Sequence, residues 1–142
     1  MANGLPVDVS LISLSDYYAE DGFLAASRLL SADIQFDAAI AVNDNVAIGA
    51  VRALKDYGMS VPEDVSLVSC DAFFLADYLN PRLTTIDHHN RELAETVISQ
   101  LLGMIQKKDL PAVAEPNADL IIRESSMHSR KPEDREKKGE RK

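Results

Sequence analysis

A chain of 142 residues, 46% of them hydrophobic, is long enough for one packed domain and too apolar for a disordered one. Its net charge of −8 argues against a chain that grips a phosphate backbone by itself. No apolar run is long enough to cross a bilayer, and the opening residues lack a signal-peptide pattern, so neither a membrane span nor export is expected.

Residues 9–14 (Val-Ser-Leu-Ile-Ser-Leu) read as a first strand that ends in Ser15-Asp16-Tyr17-Tyr18. A helix over residues 19–30 follows, with Phe23, Ala26, Leu29 and Leu30 on one side. Residues 36–42 form a nearly unbroken apolar run, which suits a strand covered on both faces. Asn43-Asp44 stops that run and supplies a helix N-cap. Val46, Ala47, Ala50, Val51 and Leu54 then recur at helical spacing over residues 45–57, and Gly58 closes the helix. Residues 65–70 make a second strand that delivers Asp71 at its carboxyl end. Strand, helix and strand of these lengths form a parallel βαβ unit, and ligands of open parallel sheets bind beyond the strands' carboxyl ends. Asn43, Asp44 and Asp71 belong at that rim.

Phe73, Phe74, Leu75, Tyr78 and Leu79 cluster over residues 73–80 as a short helical turn before Pro81. Residues 83–86 are a short strand. Residues 91–107 form an amphipathic helix with Leu93, Val97, Ile98, Leu101, Leu102 and Ile105 in one stripe. Residues 118–123 read as a last strand. From 129 to 142 the chain holds seven Lys/Arg and four Asp/Glu, so this tail is about +3 and the remainder about −11. The folded portion is therefore expected over residues 1–128. The tail reads as a solvated, disordered terminus, and interleaved acids weaken the alternative of a nucleic-acid-binding arm. The single cysteine, Cys70, excludes an internal disulfide framework and fits a reducing cytosol. At a buried strand end it reads as a packed thiol rather than a nucleophile.

The ordered set Phe36-Asp37-Ala38-Ala39-Ile40-Ala41-Val42-Asn43-Asp44, Gly49-Ala50, Val61-Pro62-Glu63-Asp64-Val65, Asp71, Leu83-Thr84-Thr85-Ile86 and Leu120-Ile121-Ile122-Arg123-Glu124-Ser125 resembles the C-terminal half of the effector-binding domain in LacI/GalR transcription regulators. The resemblance covers about residues 5 to 126. It implies a three-layer αβα parallel sheet, the C-terminal subdomain of a periplasmic-binding-protein-like fold. It also implies that the family's helix-turn-helix, hinge helix and N-terminal subdomain precede the point where this chain begins. DNA would then be reached only through a headpiece outside this chain. The function implied is sensing of a small-molecule effector, a sugar or a purine-like compound, by a cytoplasmic homodimer that controls DNA binding allosterically. A sugar receptor of the periplasmic-binding-protein type is the alternative. A small flavodoxin-like enzyme is a third class, opposed by the lack of a phosphate-cradling glycine loop.

Tyr17, Asn43, Asp71 and His88 are candidates for effector contact, and Asp44 is weighed beside them. Tyr17 stands where relatives often place an aromatic against the effector ring, or else packs on the following helix. Asn43 offers donor and acceptor to a hydroxyl-rich ligand. Asp44 is either a second contact or only the helix cap. Asp71 accepts from paired hydroxyls or a purine N–H, or is a structural acid held by backbone N–H groups. His88 lies where the family chain crosses between subdomains, lining cleft or hinge. Relatives often have Gly-aromatic-Asp-Asp where this chain has Ser69-Cys70-Asp71-Ala72, so a second acid is missing. Ile48, Phe73, Phe74, Leu75 and Tyr78 are candidates for a dimer surface, or ordinary core. Adjacent His88-His89 lacks a third ligand at metal spacing, and no catalytic triad or carboxylate pair is legible, so no metal, no cofactor and no enzyme activity are expected. The stripe on residues 91–107 is too apolar to stand bare, and is expected to fold back on its own sheet or to exchange with a second copy.

Overall fold

The computed structural model describes residues 4, 7–108 and 117–127. The charged tail expected over residues 129–142 lies outside them.

Four strands form one sheet in the order β1-β2-β3-β4: β1 (Ala38–Ile40), β2 (Ser66–Cys70), β3 (Thr84–Asp87) and β4 (Asp119–Ile121). β1 and β2 run parallel with Ala39 opposite Leu67, and β2 and β3 run parallel with Ser69 opposite Thr85. β4 returns antiparallel to β3, Ile121 opposite Thr85, so the sheet is mostly rather than wholly parallel. Three helices accompany it: α1 (Ala19–Ser31), α2 (Asp44–Asp56) and α3 (Asn90–Ile105).

α2 follows β1 directly and packs on the sheet through Val46 and Ala47. These join Ala41, Leu67, Ala76 and Leu83 in one buried cluster. α1 lies across α2 at very short range. A Cβ on Gly49 would stand 1.8 Å from the Ala19 carbonyl oxygen, and one on Gly22 would stand 2.2 Å from that of Val46. Only hydrogen at these two positions permits the approach.

Two expectations are corrected. Residues 9–14 form no strand: Val9–Leu11 is a single 3₁₀ turn whose cap, Asp8, accepts from the Ser10 N–H at 2.9 Å. The rest of the segment is tied to α1, since Arg28 donates to the Leu14 carbonyl at 2.8 Å and Ser13 Oγ to that of Ala25 at 3.3 Å. These bonds hold the segment off the sheet edge, and Ile40 on β1 is left 85% exposed. Nor does α3 fold back on the sheet. Val97, Ile98, Leu101, Leu102 and Ile105 are all exposed, and Gly103 is the one buried residue of the helix.

Candidate effector-binding rim

The carboxyl ends of β1, β2 and β3 meet around Asp44, whose side chain is 1% exposed. Asp44 is the first residue of α2 and not its cap. The cap is Asn43, whose Oδ1 accepts from the Val46 N–H at 2.8 Å. Extended backbone at Asn43 turns the next side chain inward, under the sheet's end. There the Asp44 carboxylate accepts from the hydroxyl of Ser69 on β2, from Thr85 Oγ1 on β3 at 2.7 Å, and from the Phe73 N–H at 2.6 Å. Three donors satisfy a buried acid that would otherwise carry a heavy desolvation cost.

This hub fixes the loop after β2. Thr85 Oγ1 donates to Asp44 and accepts from the Ala72 N–H at 3.2 Å, while the Asp71 N–H donates to the Ile86 carbonyl at 2.9 Å. Asp71 and Ala72 are held at φ 96° and 47°. Two successive non-glycine residues in left-handed backbone are costly and persist only where the surroundings over-determine them. The outcome is that Asp71 is lifted into solvent, and among the described residues its carboxylate has no hydrogen-bonding or ionic partner. Burial, then the charges of Asp71 and Asp44, push the neighbouring Cys70 thiol above its ordinary value, which keeps it protonated and unreactive.

Beside Asp71 opens a cavity of about 400 Å³ lined by Ala72, Phe73, Phe74, Asp87 and His89 among others. His89, at φ 52°, is the turn from β3 into α3. Its N–H donates to Asp87 Oδ1 at 2.8 Å, and its Nε2 stands 3.1 Å from Asp119 Oδ2 at the start of β4. His88, the histidine expected at the cleft, is exposed and not part of this lining; the adjacent His89 faces the cavity. The rim thus brings together Asp71, Asp87 and His89.

Tyr17 and Asn43 lie outside that lining. Tyr17 is 65% exposed. Asn43 is almost buried, and both ends of its amide are engaged: Oδ1 caps α2, and Nδ2 donates to the Tyr17 carbonyl at 3.1 Å. Asn43 therefore positions the Tyr17 segment. Of the five candidate dimer residues, Phe73, Phe74, Leu75 and Tyr78 are exposed at 40%, 62%, 38% and 81%, while Ile48 is half-buried. The two phenyl rings meet edge to face at 4.6 Å.

The C-terminal described residues lock β3 in place. Ser125, fully buried, donates to the Leu67 carbonyl at 2.6 Å and accepts from the Thr84 N–H at 2.8 Å. Arg123 pairs with Asp77 at 2.6 Å, and Arg82 grips Glu124 at 2.6 Å. Ser125, after Arg123-Glu124, was visible in the sequence only as part of a family motif. Its role rests on contacts about 40 to 58 positions apart along the chain.

Parallel strands that end in a fixed acidic loop beside an open cavity are the arrangement at which open α/β sheets take ligands. The chain belongs to the periplasmic binding protein-like domain family, which it matches over residues 2–126, in the form carried by LacI-type transcriptional regulators. It is 30% identical over 125 residues to an HTH-type transcriptional regulator of Lachnoclostridium phytofermentans, covering 88% of this chain and 38% of that protein. It is 34% identical over 122 residues to the repressor PurR of Escherichia coli O1:K1, covering 85% and 36%. Among solved structures, the Escherichia coli repressor AscG superposes with a TM-score of 0.80 at 30% identity, over 87% of this chain and 45% of that one. A LacI-family regulator of Enterococcus faecium with bound ribose superposes at 0.72 with 29% identity, over 79% and 41%. The lac repressor dimer bound to operator and an anti-inducer superposes at 0.74 with 29% identity, over 80% and 40%. The chain thus spans well under half the length of the regulators it matches. Among the described residues no helix is long and apolar enough to cross a membrane.

Proposed function

We propose that this chain is the effector-sensing and dimerisation portion of a LacI-type transcriptional regulator. Its rim forms one wall of an effector cleft. Asp71 is the central contact, accepting hydrogen bonds from paired sugar hydroxyls or from a purine N–H. Asp87 and His89 complete the wall, His88 lies at its margin, and Tyr17 supplies an aromatic face at the side, held there by Asn43. The single observation that carries this reading is the contrast between a buried, fully satisfied Asp44 and the strained loop that its bonds impose, which projects a free Asp71. An acid needed only for stability would not be presented at that cost.

Effector binding would close the cleft and shift the population of a state that sets the spacing of attached DNA-binding headpieces. The names of the relatives support this, as do the ribose held by one neighbour and the operator-bound dimer of another. The same relatives support a cytoplasmic, non-enzymatic protein. Phe73, Phe74, Leu75 and Tyr78, with Ile48 beside them, form the dimer surface, and their exposure in the single chain favours an interface over a core. The bare stripe of α3 adds a second contact, exchanged between copies.

Titration of the purified protein with millimolar pentoses, hexoses and purine bases, followed by two-dimensional NMR, tests the rim. At least one compound is expected to move the amide signals of Asp71, Ala72 and His89, and Asp71→Ala is expected to abolish the response without lowering the melting temperature. A response that survives Asp71→Ala, or maps elsewhere, would sink the reading.

A further inference from the structure

β3 and β4 bring two acids face to face. Their antiparallel register sets Asp87 directly opposite Asp119, at the end where β3 runs out towards α3 and β4 begins. Like charges in register repel and destabilise a strand pair. The imidazole of His89 lies against both. Its Nε2 stands 3.1 Å from Asp119 Oδ2 and its Nδ1 3.9 Å from Asp87 Oδ2, while the His89 backbone N–H donates to Asp87 Oδ1 at 2.8 Å. The side chains of His89 and Asp87 are partly shielded from water, and that of Asp119 is the open arm. The other charged groups around the neighbouring cavity are Asp71 on the loop after β2 and Arg91 and Glu92 in the first turn of α3. Arg91 is paired along the helix with Glu95 at 3.5 Å, so acids predominate around His89.

We propose that His89 is a proton-operated clamp on the end of the β3–β4 pair. The two states of its ring meet the acids differently. An ionised carboxylate only accepts, so Nε2 carries the hydrogen shared with Asp119. In neutral imidazole that is the only N–H, and the Nδ1 lone pair is left facing Asp87. In imidazolium Nδ1 carries a hydrogen too, and one positive charge lies between two negative ones. Protonated, the ring fastens Asp87 to Asp119. Neutral, it leaves two opposed acids with one hydrogen bond between them, and the strand end loosens. The joined points are where the chain leaves the sheet for α3 and where β4 brings it back, so the clamp sets how firmly those two crossings hold together. Its consequence for sensing, a stiffer wall beside Asp71 in acid, rests on the effector reading of the rim. The clamp itself needs no effector and is tested without one, so failure of either reading leaves the other standing.

Amide hydrogen exchange at about pH 5.5 and about pH 7.5, corrected for the intrinsic rate at each, spans the range in which a histidine changes charge. The bonds of the imidazolium are present on the acid side and lost as pH rises through that range. Protection of the paired amides of residues 84–87 and 119–121 is expected to be about two- to fivefold higher in acid, the size of a partly exposed ion pair. The β1–β2 pair, residues 38–40 and 66–68, should not change. His89→Gln keeps a donor for Asp119 but does not titrate, and Asp119→Asn removes one acid while leaving the turn at His89 intact. Each should abolish the difference, and His88→Gln, at the exposed neighbouring histidine, should keep it. Equal protection at both pH values in the unmodified chain would overturn the proposal. So would a difference that survives in both variants, one that disappears with His88, or one shared in full by the β1–β2 pair.

Discussion

The rim around Asp44 and the face of α3 carry similar promise in sequence and opposite fates in structure. At the rim, polar residues are buried: Asp44, Ser69, Thr84, Thr85 and Ser125 are all less than 2% exposed. On α3, five large aliphatics stand more than half exposed. Hydropathy alone would assign these the other way round. The rim is stable because these side chains find partners on β2, on β3, in the loop after β2 and among residues 123–126, so their burial cost is met by hydrogen bonds. The helix leaves the sheet through the left-handed turn at His89, held by Asp87 and Asp119, and its aliphatics are left exposed among the described residues.

The largest effect should come from breaking the rim at its centre. Asp44→Ala strands three buried or half-buried donors and is expected to cost about 3–5 kcal/mol in urea unfolding. It should also release the loop, so that hydrogen exchange at Asp71 and Ala72 quickens. A loss under about 1 kcal/mol would mean that water replaces the carboxylate and that the hub does not fix the loop.

Ser125→Ala is the next test. It removes the bridge between Leu67 on β2 and Thr84 on β3, and should cost about 1–3 kcal/mol by the same measurement. Ser125→Gly should be no better, since the hydroxyl and not the side-chain volume carries the bond.

Leu101→Lys on α3 should sit at the other end of the scale. At concentrations where the chain is monomeric, its unfolding free energy should stay within about 0.5 kcal/mol of the unmodified protein. At higher concentration the same change should dissolve any dimer formed through α3, as read by light scattering. A clear loss in the monomer would show that the stripe is buried within its own chain and erase the comparison.

The smallest effect is electrostatic. Hydrogen bonding to Arg82 holds the Glu124 carboxyl below its ordinary value of 4.5. A carboxyl lowered in the folded state contributes stability above its unfolded value and loses it as pH falls through the folded one. Both groups are exposed, so the contribution is small. Glu124→Gln should therefore lower stability slightly near neutrality and flatten the decline below pH 4.5, the ordinary value. An unchanged acid limb would show that the Arg82 contact adds nothing in solution.

Much of this was legible in the residues themselves. The apolar run ending at Asn43-Asp44, the helical spacing of Val46 to Leu54 and the second run ending at Asp71 placed a βαβ unit and its rim, but the cover on both faces that the first run suggested is absent, since Ile40 on β1 is 85% exposed. The rim's division of labour was not legible. Asn43 and Asp44 are both good caps and both good ligands, and only the extended backbone at Asn43 decides which one turns inward. His88 and His89 are likewise equivalent in sequence, and the positive φ at His89 selects the one that faces the cavity. The segment Val9 to Leu14 has strand composition, yet one arginine on α1 and a serine hydroxyl hold it away from β1.

Sequence by itself determined the order of elements from α1 onward, the acidic rim and the family, since all three depend on local pattern and on motifs read in register. Tertiary structure alone decided which acid is buried and which is free, which strand edge is left open and which helix stands bare. The burial of Asp44 depends on partners 25 to 41 positions away along the chain, and no local pattern encodes which distant donor a buried carboxylate will find.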